Sequence, residues 1–153
     1  MIADHIVVLR LVLAVVFSGF IGLEREVSGR AAGFRTHILV CVGSTLMMLT
    51  GIYLFDLYRG VLQVDPGRIA AQVVSGIGFL GAGTIIQTRD SVRGLTTAAS
   101  LWAAAGIGLA VGCGFYIGAL STTVVVLVVL YVFSGVERRV VGPKRASPSR
   151  EAD

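Results

Sequence analysis

At 153 residues the chain is one domain in size; 55% of its residues are hydrophobic and 14% are charged, against about 25% charged in an average soluble domain. Its mean hydropathy is +0.85, and a chain this small cannot hide so much apolar side chain from water, which excludes a soluble globular enzyme, a disordered chain and a collagen-like fibre. The net charge of +4 falls in short basic clusters between apolar runs, so it reads as a set of topology signals in a lipid bilayer and no nucleic-acid partner is expected.

Five apolar runs follow one another along the chain: Ile6 to Leu23, His37 to Phe55, Ile69 to Gln87, Leu95 to Gly112 and Phe115 to Ser134. Each is about 18–20 residues, or roughly 27–30 Å of helix, close to the thickness of the hydrocarbon core. Backbone groups in lipid must pair within their own segment, so the runs are predicted to be helices, the Val-rich stretch from Val124 to Val132 included. The expected fold is an all-α polytopic transmembrane bundle of about five helices over residues 1–134, followed by a short basic tail over 135–153.

The first run is preceded by Asp4 and His5 where a signal peptide carries basic residues, so it reads as an anchor. Ten Arg and Lys fall on one side: Arg25, Arg30 and Arg35 in the first loop, Arg89 and Arg93 in the third, and Arg138, Arg139, Lys144, Arg145 and Arg150 in the tail. Only Arg59, Arg68 and Arg10 fall on the other. The positive-inside rule then predicts an N-terminus outside and a C-terminus in the cytoplasm. On that topology Cys41 and Cys113 are separated by most of the bilayer, too far for a disulfide, and His5 and His37 cannot share a metal.

The first loop, Glu24-Arg25-Glu26 and then Gly29 to Thr36, is either an interfacial turn whose ions pair and snorkel or a docking surface shared with Arg89, Asp90 and Arg93. In the second loop Asp65 suits a helix cap and Pro66 the first helical position. Alternatively, Asp65 and Asp56 are the weak candidates for recognising a cation there. The third run carries Gly76, Gly78, Gly81 and Gly83. Three of them spell G-x-G-x-x-G, but that fingerprint needs a preceding strand and an acidic residue about 20 positions on, where this chain has Leu101. Close helix packing is the expected role of these four glycines and of Gly108 and Gly112, which have G-x-x-x-G spacing. A break in the third helix is the alternative. Gln72, Gly76, Phe79, Gly83 and Gln87 share a helical stripe that either lines a narrow cavity or receives a partner helix. Thr96 and Thr97 suit backbone groups at the start of the fourth helix.

No catalytic arrangement is present: Ser, Cys and His are not grouped as a triad needs, G-K-[ST] is missing, and runs two to five hold no Asp, Glu, Lys or Arg. The chain is not expected to be an enzyme, and no cofactor is expected beyond a transient magnesium ion.

Several ordered blocks resemble the MgtC/SapB family of bacterial inner-membrane proteins: Gly22-Leu23-Glu24-Arg25-Glu26, Ala32-Gly33-Phe34-Arg35-Thr36-His37, Asp65-Pro66-Gly67-Arg68-Ile69-Ala70-Ala71-Gln72, Gly76 to Gly83 and Arg93-Gly94-Leu95-Thr96-Thr97-Ala98-Ala99. The resemblance covers about Gly19 to Gly118. It implies a multi-pass domain of the inner membrane linked to magnesium limitation, stress survival and, in some members, virulence, and it marks Glu24, Arg25, Arg35, Asp65, Arg68, Gln72, Arg93, Thr96 and Thr97 as family-motif and interaction candidates. Some family members are labelled magnesium transporters; others look like regulators that bind the membrane sector of the F-type ATP synthase. Longer relatives carry a soluble C-terminal domain with no counterpart in these residues. A regulator acting by helix contact is the favoured expectation. The alternative is a magnesium transporter or channel, which, lacking a mid-membrane carboxylate, would need a hydrated path through a homo-oligomer.

Overall fold

The computed structural model describes residues 2–89 and 91–133. Five helices follow in order, α1 (Asp4–Val27), α2 (Phe34–Leu57), α3 (Pro66–Gly83), α4 (Leu95–Cys113) and α5 (Tyr116–Val128). A two-residue hairpin, β1 (Ile86–Gln87) and β2 (Val92–Arg93), joins α3 to α4, and one π-helical turn, Val129–Phe133, extends α5. The expected tail lies outside the described residues. The protein is all-α, and α1, α2 and α4 are long and apolar enough to cross a membrane.

Most boundaries shift by a few residues, and the two that move furthest, the ends of α1 and α3, do so for local reasons. Helix α1 runs on through Glu24-Arg25-Glu26, which the sequence placed in a loop; Glu and Arg are good helix formers, and the turn stops only at Gly29, whose φ is +63°. Helix α3 ends at Gly83 rather than Gln87. It is continuous from Pro66, so the expected alternative of a broken third helix is not what is found. Thr84 folds its hydroxyl back onto the Gly81 carbonyl at 2.8 Å, and the chain turns into the hairpin, pairing Ile86 with Arg93 and Gln87 with Val92. Gly94 leads into α4 at φ +90°, and any Cβ there would overlap the Thr84 carbonyl. At the other end of α3, Asp65 Oδ1 accepts from the Gly67 N–H at 2.8 Å and Pro66 takes the first position.

Helices α1, α2 and α4 form the core, turning inward small or polar residues at helical spacing together with a few larger apolar ones, among them Leu101, Ile107 and Val111 of α4. On α1 the inward residues include Ala14, Ser18, Ile21, Gly22 and Arg25; on α2, His37, Cys41, Ser44 and Thr45; on α4, Thr97, Ser100, Ala104, Gly108 and Gly112. Large apolar residues such as Leu39, Phe79, Trp102 and Ile117 point outward. In lipid this division is favourable, because apolar surface gains nothing by leaving lipid and helices associate through close packing. The approach is tightest between α2 and α4. A Cβ on Gly108 would overlap the Cys41 carbonyl, and one on Gly112 would sit 2.6 Å from Met48 Cβ and 2.8 Å from the Thr45 carbonyl.

Candidate functional site

The polar groups of the core form a seam along the faces shared by α1, α2 and α4. Arg25, in the last turns of α1, is 3% exposed. Its Nη2 donates to Thr97 Oγ1 on α4 at 3.2 Å, and its Nη1 lies 3.8 Å from Glu24 Oε2. Burying this charge is costly, and the carboxylate beside it and the cross-helix hydroxyl offset the cost only in part; Arg25 Nε and Glu24 Oε2 remain buried without a hydrogen bond. Further along, His37 is fully buried. Its Nδ1 faces the Gly33 carbonyl at 2.8 Å and its Nε2 faces Ser100 Oγ at 3.0 Å. Ser100 also lies 2.9 Å from the Thr97 carbonyl. A hydroxyl has one hydrogen, so with Nδ1 donating, the Ser100 hydrogen chooses between His37 and Thr97. Deeper still, Thr45 shares its hydrogen between the Cys41 and Gly108 carbonyls, each at 2.9 Å.

Around this seam the outer groups brace the same helices. Glu26 Oε2 accepts from the Phe34 N–H at 3.0 Å and pins the start of α2 to the end of α1. At the opposite end Arg10 donates to the Gly112 carbonyl at 2.7 Å and to Tyr116 Oη at 3.0 Å. That places a cation against the C-terminus of α4, where the helix dipole favours one.

The candidate residues therefore divide. Arg25 and Thr97 meet inside the protein, so Arg25 is not part of an exposed docking surface as one expectation had it. Glu24 is mostly covered beside them, with 16% of its side chain exposed. Arg35, Arg93 and Thr96 are exposed around the same end of the bundle, and Asp90 lies outside the described residues. Asp65 and Arg68 are exposed at the far end, where they line a cleft of about 540 Å³ with Arg59 and Gln63. Asp56 is half-buried near the end of α2. Among the described residues, no group of three or more His, Cys, Asp or Glu side chains is placed to hold a metal ion.

The glycines divide too. Gly108 and Gly112 are at tight crossings, and Gly81 is in ordinary contact with Ala98. Gly76, Gly78 and Gly83 are not packed against other helices of this chain, because a Cβ at any of them meets open space. Gln72, Gly76, Phe79 and Gly83 are exposed on α3, and Gln87 leaves their stripe for the hairpin. His37, Ser100 and Thr45 were missed as members of a site. Their signal was present as the spacing of His37, Cys41 and Thr45 on one face of an apolar run, matched by Thr97, Ser100, Ala104 and Gly108 on another.

The MgtC family model matches residues 11–139, which contain the seam and all five helices apart from the first turns of α1. The chain belongs to the MgtC family. Among relatives, it is 45% identical to YhiD of Escherichia coli K12 over 128 residues, 82% of this chain and 60% of that one; the name of YhiD provisionally assigns it to magnesium transport. It is 44% identical over 120 residues to Protein MgtC of Salmonella typhimurium, covering 78% of this chain and 49% of the relative. Protein SapB of Bacillus subtilis is 38% identical over 146 residues, 93% of this chain and 62% of the relative. The chain thus spans about half to three-fifths of the length of these relatives. No solved structure matches it. This MgtC-family chain is a membrane protein, and the family blocks around Arg25, His37 and Thr97 coincide with the buried seam.

Proposed function

We propose that this chain is a multi-pass protein of the bacterial inner membrane, linked to magnesium homeostasis and stress adaptation, that regulates another membrane complex by helix contact, with the F-type ATP synthase as the leading partner. The observation that carries this is the free side of α3. Only Ile77 and Gly81 of its 18 residues are buried. Its outward face carries Gln72, Ser75, Gly83 and an 84% exposed Phe79, with Gly78 open beside them. A glutamine about seven residues into the helix is costly against lipid and gains from an interhelical hydrogen bond, while glycines let another backbone approach. Those are the properties of a face that receives a helix.

A magnesium transporter, as the name of YhiD suggests, is the second reading. Magnesium is usually held by one or two carboxylates with retained water. The outer cleft offers Asp65, but its Oδ1 is occupied by the Gly67 N–H, and Arg59 and Arg68 line the same cleft. Two guanidinium groups oppose a dication, which favours the regulator.

The test uses a photo-crosslinking residue in place of Phe79 in intact cells, with Trp102 on α4, also exposed, as the matched control. Capture of a membrane subunit of the ATP synthase from position 79 but not 102 is expected. Purified protein in liposomes is expected to give no magnesium influx above empty vesicles. Saturable flux abolished by Asp65→Ala would replace the regulator with the transporter.

A further inference from the structure

We infer that the groove between α2 and α3 is a binding site for one anionic phospholipid, its phosphate held by Arg35 and Thr36 and an acyl chain laid along the groove. The groove has a volume of about 530 Å³ and runs from Arg35 and Thr36 past Gly43 to Met47 on α2, with Leu80, Gly76 and Val73 forming the opposite wall. Apart from its mouth and Ser44, it is apolar, and the Ser44 hydroxyl is already spent on the Val40 carbonyl at 2.8 Å. The floor therefore has no hydrogen-bond need that a polar ligand would meet.

Two features select the occupant. The first is length. From Arg35 to Met47 is about 18 Å of helix at 1.5 Å per residue, and half of a hydrocarbon core is about 15 Å. The groove is therefore one leaflet deep, with its polar mouth at the interface, as a lipid chain and its headgroup require. The second is charge. Arg35 is exposed in the first turn of α2 and, among the described residues, has no ion pair, whereas Arg25 one helix away is matched by Glu24. A guanidinium binds phosphate oxygens through two parallel N–H groups, and the Thr36 hydroxyl beside it adds a donor. The width of the groove follows from two glycines. A Cβ at Gly43 or at Gly76 meets nothing within 4 Å, so each leaves space that a larger residue would fill.

The groove borders the outward α3 face used for the proposed partner, with Gly76 at the edge of both, and the lipid site is tested on the purified chain, without that partner, by native mass spectrometry. The lipids are phosphatidylglycerol and phosphatidylethanolamine with matched acyl chains. About fivefold greater retention of phosphatidylglycerol is expected, the factor that one arginine at an anionic membrane surface supplies. Arg35→Gln is expected to bring the ratio to about one, while Arg30→Gln, an exposed charge in the connection before α2 that does not line the groove, leaves it unchanged. Gly76→Leu is expected to lower retention of both lipids, and Gly43→Leu repeats the block from the opposite wall should the first variant fail to fold. Glycerol phosphate, which has the charge without the chains, is expected not to displace the lipid. Equal retention of the two lipids, an unchanged ratio in Arg35→Gln, or displacement by glycerol phosphate would overturn the proposal. So would disulfide-linked dimers of a Gly43→Cys, Cys113→Ser variant, which would put a second copy in the groove.

Discussion

Replacing Gly108 by Ala adds one methyl group at the place where α2 and α4 come closest. The new Cβ overlaps the Cys41 carbonyl and lies 2.8 Å from Ser44 Cβ, both of them on a neighbouring helix that has no flexible end to move aside. The helices must separate, and overpacking of this kind costs about 1–3 kcal/mol. Separation also breaks the 2.9 Å bond from Thr45 Oγ1 to the Gly108 carbonyl, worth about 0.6 kcal/mol on average and up to about 1.7 between membrane helices. Ala gains about 1 kcal/mol over Gly in helix propensity, so the net loss is about 1–4 kcal/mol. Gly106, on the same helix and open on its Cβ side, is the control, and Gly106→Ala keeps the propensity gain with no clash. The measurement is reversible unfolding in mixed micelles against a detergent denaturant, followed by the fluorescence of Trp102, the single tryptophan. A gap of about 2 kcal/mol or more between the two variants is expected. Equal stability would refute the close α2–α4 crossing as the source of stability.

Other perturbations test the rest of the core. Gly78→Leu, which meets open space, is expected to leave unfolding in detergent nearly unchanged while weakening crosslinking from position 79; a large loss of stability would mean that α3 packs differently. Arg25→Ala strips the buried pair of its cation and leaves Glu24 and Thr97 without it, for which about 3 kcal/mol or more of lost stability is expected in thermal unfolding; Arg30→Ala, on an exposed residue, is expected to be neutral. A double-mutant cycle of His37→Ala and Ser100→Ala is expected to give a coupling of about 0.6–1.7 kcal/mol for their 3.0 Å contact, and additivity would remove that contact from the seam. The predicted orientation puts the exposed Cys113 outside and leaves Cys41 buried. An impermeant maleimide is expected to label Cys113 in intact cells and Cys41 only after denaturation, and labelling of Cys113 only in inside-out vesicles would invert the topology.

Much of the architecture was open to inspection in the chain itself. Hydropathy places five helical segments because backbone groups in lipid must pair locally, and that demand depends on length and composition rather than on neighbours. Asp65 and Pro66 mark the start of α3 for the same reason, a local cap built from adjacent residues. The far end of α3 was less open, since Thr84, Ile85 and Ile86 are apolar or weakly polar enough to extend a helix, and the turn into the hairpin is held by pairing with Val92 and Arg93 across it.

Composition and hydropathy, then, were sufficient for fold class and helix number, and the ordered motif blocks carried the family resemblance. Which glycines pack was beyond them, because Gly76 and Gly108 are chemically identical and differ only in whether another helix happens to face them. The same holds for the charges. Arg25 and Arg35 belong to adjacent family blocks and read alike as cytoplasmic anchors, yet α4 brings Thr97 against the first and buries it, while α3 leaves a groove beside the second and keeps it free. Burial is a property of pairs of surfaces, and in a membrane the apolar residues of a helix can face lipid or a neighbour alike, so the spacing of its polar and small residues, rather than its hydropathy, records the face its neighbours cover.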